Sequence, residues 1–173
     1  MRLRSGLLIA AAALVMAGPV RAAEVVALGA SNTFGRGQGR HADGVPKAQA
    51  YPAQLQAMLA AKGCRARVLN AGVPGDTTGG MLARLPGLLG KGVKVLVLQP
   101  GGNDARQGQY DTQANIDAIT SYAAARGVKV VQMGRLSMAS GYRLPDGMHF
   151  SAEGHAIFAR SVLSDVAAAA CGG

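Results

Sequence analysis

The sequence predicts an α/β protein, a small parallel sheet with helices packed on both faces. Three observations predict it. Short apolar runs alternate with longer stretches of helical periodicity from Glu24 onward. The run Val93-Lys94-Val95-Leu96-Val97-Leu98 is almost continuously apolar, as a strand covered on both faces must be. Polar, glycine-rich segments recur where the strands would end, which is where open α/β sheets place their sites.

Residues 24–28 read as a first buried strand, stopped by Gly29. Residues 51–62 carry Leu55, Met58 and Leu59 at helical spacing, and Gly63 ends that helix. Residues 66–69 are a short second strand. Residues 78–89 form a second helix with Met81, Leu82, Leu85 and Leu88 on one side, and Pro86 and Gly87 are expected to break or kink it. Residues 93–98 are the central strand, 111–126 a helix, 128–133 a fourth strand and 152–170 a terminal helix. Residues 134–145 read as a loop, with no fifth strand. Parallel strands need crossover helices, which are right-handed.

Composition narrows the class of function. The chain has 173 residues, enough for one sizeable core. Apolar residues make up 49%, which argues against disorder, and aromatics only 4%, with no Trp, which leaves few stacking platforms for bases or sugars. The formal charge of +9 raises nucleic acid or an anionic membrane as partners. The N-terminus reduces it. Arg2 and Arg4 precede an apolar run from Leu7 to Val15, Pro19 breaks the run, and Val20-Arg21-Ala22 presents small residues before a cut. That is the pattern of a secretory signal over residues 1–22, too short for a membrane span, with residues 23–173 as one domain. Without it, 15 basic residues face 9 acidic ones, a net +6 over 151 residues. The remaining cations are scattered, so no nucleic-acid partner and no stable membrane span in the mature chain are expected. A periplasmic or secreted location suits a disulfide, and Cys64 and Cys171 are its candidates. Neither Cys has metal-ligand spacing with His, so no metal is expected.

Four segments carry chemistry. Gly29-Ala30-Ser31-Asn32 follows the first strand, Asn70 through Thr77 the second, and Gly101-Gly102-Asn103-Asp104 the third; Asp146-Gly147-Met148-His149 precedes the last helix. Ser31 is either a helix cap or a nucleophile presented at the sheet top. Asp146 and His149 are three apart, so one turn can set the carboxylate under the imidazole; otherwise Asp146 caps the turn and His149 packs on the core. Asn103 braces its loop or donates to an oxyanion. Gly75 is a turn residue after Pro74, or it brings a backbone N–H close to a ligand. Together they supply nucleophile, base, orienter and oxyanion donors.

On these four blocks, strengthened by Gly75-Asp76-Thr77 and Ala83-Arg84-Leu85-Pro86, the sequence resembles the SGNH hydrolases of the GDSL esterase/lipase family, above all bacterial periplasmic thioesterase, lysophospholipase and arylesterase members. The resemblance covers essentially the whole mature chain. It implies a flavodoxin-like three-layer α/β/α sandwich with a parallel sheet of four to five strands. It implies no metal and no cofactor, and as substrate a small-molecule acyl ester or thioester. It assigns Ser31 as nucleophile, His149 as base, Asp146 as its orienter, and the Ser31 and Gly75 N–H groups with the Asn103 side chain as the oxyanion hole. The sequence departs from the pattern at Ala30, where the family usually has Asp, and in the short stretch between Asn103 and Asp146. Arg106 is a candidate to meet an anionic substrate. His41 lies in a polar loop and His155 in the last helix, the latter read as structural or exposed. Two alternatives accompany the esterase reading, a carbohydrate O-deacetylase on the same scaffold and a catalytically weak basic binding module.

Overall fold

The computed structural model describes residues 24–37, 42–133 and 140–172. The segment read as an export signal, His41, and residues 134–139 of the stretch read as a loop lie outside them.

Four parallel strands form one sheet in the order β2-β1-β3-β4: β1 (Val25–Gly29), β2 (Val68–Gly72), β3 (Val95–Gln99) and β4 (Lys129–Gln132). The register sets Gly29 opposite both Gly72 and Gln99. Three strands therefore end at one level, and the loops that leave them meet. The helices are α1 (Ser31–Phe34), α2 (Tyr51–Ala61), α3 (Thr78–Leu88), α4 (Asn103–Arg106), α5 (Thr112–Ala124) and α6 (Ala152–Cys171).

Side chains of β1 and β3 alternate between the two faces with the period of a strand. Val25, Ala27, Val95 and Val97 pack with Leu55 and Leu59 of α2 and Phe158, Val162 and Val166 of α6. Val26, Leu28, Leu96 and Leu98 pack with Met81 and Leu85 of α3 and Ile116 and Ile119 of α5. Both central strands are apolar up to their last residue because both faces are covered. Leu55 and Leu85 are fully buried; burial of one such side chain contributes about 1.5–3 kcal/mol. The result is a three-layer α/β/α sandwich on the flavodoxin-like plan.

Two expectations from the sequence need correction. The second strand runs over Val68–Gly72, not residues 66–69. Asn70 looked like loop, but β2 is an edge strand, and parallel pairing with β1 carries it through Gly72. The second helix, expected over residues 78–89, runs over Thr78–Leu88 and is not broken at Pro86. Only one helical bond is forfeited there, one turn from the end, and Leu89 N–H still donates to the Leu85 carbonyl at 3.1 Å. Cys64 and Cys171 are joined as a disulfide with Cα atoms 5.7 Å apart, tying the turn after α2 to the end of α6.

Candidate active site at the strand ends

Glycine places the first block. A Cβ on Gly29 would lie 2.0 Å from Thr33 Oγ1 and 2.9 Å from the Gln99 carbonyl oxygen, and one on Gly72 would lie 2.2 Å from the Phe34 nitrogen. Only glycine lets α1 sit this close to the ends of β1 and β2. Ser31 becomes the first residue of α1, half-buried at the top of the sheet. Ala30 before it supplies no side-chain cap.

The last block reaches Ser31 from the far end of the chain. The Arg143–Phe150 antiparallel bridge closes a tight lasso, with Leu144 N–H donating to the His149 carbonyl at 2.7 Å. Within it Asp146 does two jobs. Its Oδ1 accepts the backbone N–H groups of Met148 and His149, each at 2.9 Å, which forms the turn. Its Oδ2 lies 2.8 Å from His149 Nδ1. Asp146 thus bonds the turn with one oxygen and the ring with the other. Burial by itself would raise the Asp146 carboxyl, but the two backbone donors and the adjacent imidazole hold it down at about 2. An ionised carboxylate only accepts, so Nδ1 of the neutral ring carries the proton and Nε2 is left with its lone pair. That lone pair faces Ser31 Oγ at 2.9 Å, and the hydroxyl donates. Asn32 adds a tie between the two blocks: its Oδ1 accepts the Phe150 N–H at 3.0 Å.

The two middle blocks are bonded to each other and to the first block. Gly75 adopts φ +82°, and Asp76 N–H donates to the Val73 carbonyl at 3.0 Å. With Pro74 ahead of the glycine, this is the pattern of a type II turn. Gln107 Nε2 holds the Gly75 carbonyl at 2.8 Å. Asn103 is buried at the start of α4. Its Nδ2 donates to the Asp76 carbonyl at 2.7 Å, and its Oδ1 accepts from Arg106 Nη2 at 2.6 Å. A carbonyl cannot donate and a guanidinium cannot accept, so chemistry fixes which way the amide points. One N–H of Asn103 remains beyond the bond to Asp76.

Arg84, Asp76 and Asp104 brace these loops. Arg84 on α3 donates through Nε to Asp76 Oδ2 at 2.9 Å and through Nη2 to the Gly29 carbonyl at 3.1 Å. One side chain thereby ties the first block to the second, and Asp76 ties the second to Asn103. Asp104 is buried and accepts the backbone N–H of Thr78 at 3.1 Å and the Thr78 hydroxyl, anchoring α4 on the start of α3. The bonds of Arg84 to Gly29 and of Asp104 to Thr78 are not visible from spacing, because each joins residues far apart in the chain. His155 is buried rather than exposed; its Nδ1 accepts the Tyr51 N–H at 3.2 Å. The cleft beside Ser31 encloses about 720 Å³ and reaches past Asn103 and Arg106 to Met133 and Phe158. Among the described residues, no three His, Cys, Asp or Glu side chains gather as a metal site, and no helix is long and apolar enough to cross a membrane.

Comparison with known proteins agrees with this architecture. Esterase TesA of Pseudomonas aeruginosa is 40% identical over 94 residues, which is 53% of this chain and 47% of that protein. The chain thus spans about half the length of the curated relative it matches. The crystal structure of TesA has the same fold, with a TM-score of 0.71 at 25% identity over 82% of this chain and 97% of that one. AlinE4, an SGNH-hydrolase family esterase, gives a TM-score of 0.57 at 25% identity over 86% of this chain and 74% of that one. The model of the GDSL-like lipase/acylhydrolase family matches residues 27–138, which takes in the first three blocks and stops short of Asp146 and His149. That match extends over more than half of the sequence, and the chain belongs to the GDSL-like lipase/acylhydrolase family.

Proposed function

We propose that this protein is a serine esterase that hydrolyses small carboxylic esters or thioesters, and that it works after export from the cytoplasm. One observation carries the reading: Ser31 Oγ, the His149 ring and Asp146 form an unbroken chain of contacts at 2.9 and 2.8 Å. His149 Nε2 takes the Ser31 proton as Oγ attacks the ester carbonyl carbon. The Asp146 carboxylate keeps the ring in the right tautomer and stabilises the imidazolium that forms. The negative oxygen is met by the backbone N–H groups of Ser31 and Gly75 and by the remaining N–H of Asn103. Arg106, bonded to Asn103 Oδ1, polarises that amide toward stronger donation. Collapse expels the alcohol or thiol, which leaves with the proton from His149. Water then attacks the acyl-enzyme by the same route and releases the acid. Esterase TesA and AlinE4 support this choice of reaction by their names, and the Cys64–Cys171 disulfide supports an oxidising compartment.

A fluorophosphonate probe tests the nucleophile directly. The wild-type protein takes up the label on Ser31 and hydrolyses 4-nitrophenyl acetate, and pure Ser31→Ala protein does neither while keeping its circular dichroism spectrum. Equal turnover by the two proteins refutes the assignment.

A further inference from the structure

The cleft has an apolar floor and a cationic rim. Ile116, Met133 and Phe158 are buried at its base. Arg106 and Arg143 line it nearer to solvent, and no Asp or Glu is among the described residues that line it. The acids closest in sequence are already engaged. Asp104 is bonded to Thr78 and Asp146 to His149. Neither arginine forms an ion pair with a described residue, whereas Arg84 does, with Asp76.

Each guanidinium is nevertheless held in place. Arg106 spends Nη2 on Asn103 Oδ1 at 2.6 Å. Arg143 donates from Nη1 to the Met148 carbonyl at 3.0 Å and lies 5.3 Å from the centroid of the Phe150 ring. A guanidinium carries five N–H donors, so both keep donors for a ligand. Because each is anchored to a neutral acceptor, its charge is fixed in position and uncompensated, and less side-chain entropy is lost when an anion arrives.

Resting on the esterase reading above, we infer that the cleft selects esters bearing a negative charge, a carboxylate or phosphate within a few bonds of the scissile carbonyl. The anion is held by Arg106 and Arg143 at the rim, and the apolar part of the substrate lies against the floor. The chemistry is the same whether the anion belongs to the acyl or to the alcohol part.

Matched esters separate the two sources. Methyl pentanoate is compared with monomethyl glutarate, which carries the anion on the acyl side. Ethyl butyrate is compared with O-butyrylglycolate, which carries it on the alcohol side. Acid release is followed in a pH-stat at neutral pH, and rates are normalised to alkaline hydrolysis. At low salt, kcat/KM for at least one anionic ester exceeds that of its neutral partner by about tenfold. The ratio falls toward one at about 1 M salt, where the screening length is about 3 Å. It also collapses in Arg106→Gln and Arg143→Gln, whatever each substitution does to the neutral rate. Hydrolysis of the neutral esters with a ratio of one or less at low salt overturns the anion site and leaves the esterase standing. A preference that survives high salt, or both substitutions, likewise overturns it. No turnover of any of the four esters overturns the esterase reading and this inference with it.

Discussion

His155 makes the fold sensitive to mild acid. Its ring is buried between the start of α2 and Phe150, whose ring it meets nearly edge-on with centroids 6.1 Å apart. Burial, followed by the charge of nearby His149, lowers its pKa from 6.5 to about 4. The hydrogen bond to Tyr51 works in the same direction. Nδ1 accepts the Tyr51 N–H at 3.2 Å, and protonation there would set two donors against each other. The unfolded chain has no such restriction and takes up the proton near the ordinary value. The sign follows. The full contribution to stability is present above about 6.5 and drains away as pH falls, because the unfolded state binds the extra proton. Below about 4 both states are protonated and the loss levels off. At about 1.4 kcal/mol per pH unit, the interval is worth about 3 kcal/mol, a large part of a stability of about 5–15 kcal/mol. Urea unfolding followed by circular dichroism, from pH about 7 to about 4, measures it. His155→Asn keeps an acceptor for Tyr51 and has no titration in that range, so its curve should fall less steeply than that of the wild type, by about 3 kcal/mol in total. Its absolute stability does not matter, since only the difference in slope reports on His155. Parallel curves would refute the reasoning.

Three other predictions address the site and its frame. Asn103→Ala removes the side-chain donor and lowers kcat by about 10²–10³-fold; steady-state kinetics on a neutral ester check it, and an unchanged kcat removes Asn103 from the oxyanion hole. Arg84→Gln cuts the strut from Gly29 to Asp76 and lowers kcat by about 10- to 100-fold while KM moves little; a change in KM alone would make Arg84 a substrate contact instead. Replacing both Cys64 and Cys171 by Ser releases a loop with a sequence separation of 107, at a cost of about 2–4 kcal/mol in denaturant unfolding. A loss under about 1 kcal/mol would show that contacts of α6 with α2 already restrain that end.

The parts that could be read from the sequence are those whose signal is local. Val95 through Leu98 are apolar on both faces, so the central strand announces itself. The Asp146–His149 spacing is local as well, and one turn suffices to bring the two side chains together. The strand ends were harder. Asn70 is polar and exposed, and only the register against Leu28 and Gly29 makes its neighbours strand. The short helix at Asn103–Arg106 is a single turn with no periodicity to detect. Arg84 is the extreme case. Its partners are the carboxylate of Asp76 and the carbonyl of Gly29, and the latter contact belongs to the backbone, which leaves no trace in residue identity.

At Ala30 the start of α1 has no side-chain cap and is held by tertiary bonds. A buried methyl precedes Ser31, with no side chain to cap α1. Two bonds from other segments hold the block in its place. Arg84 grips the Gly29 carbonyl ahead of Ser31, and Asn32 behind it receives the Phe150 N–H. The turn at Ser31 is thus clamped on both flanks, one clamp from the α3 side and one from the segment that carries His149. Its geometry therefore rests on contacts between segments 55 and 118 residues apart in the chain.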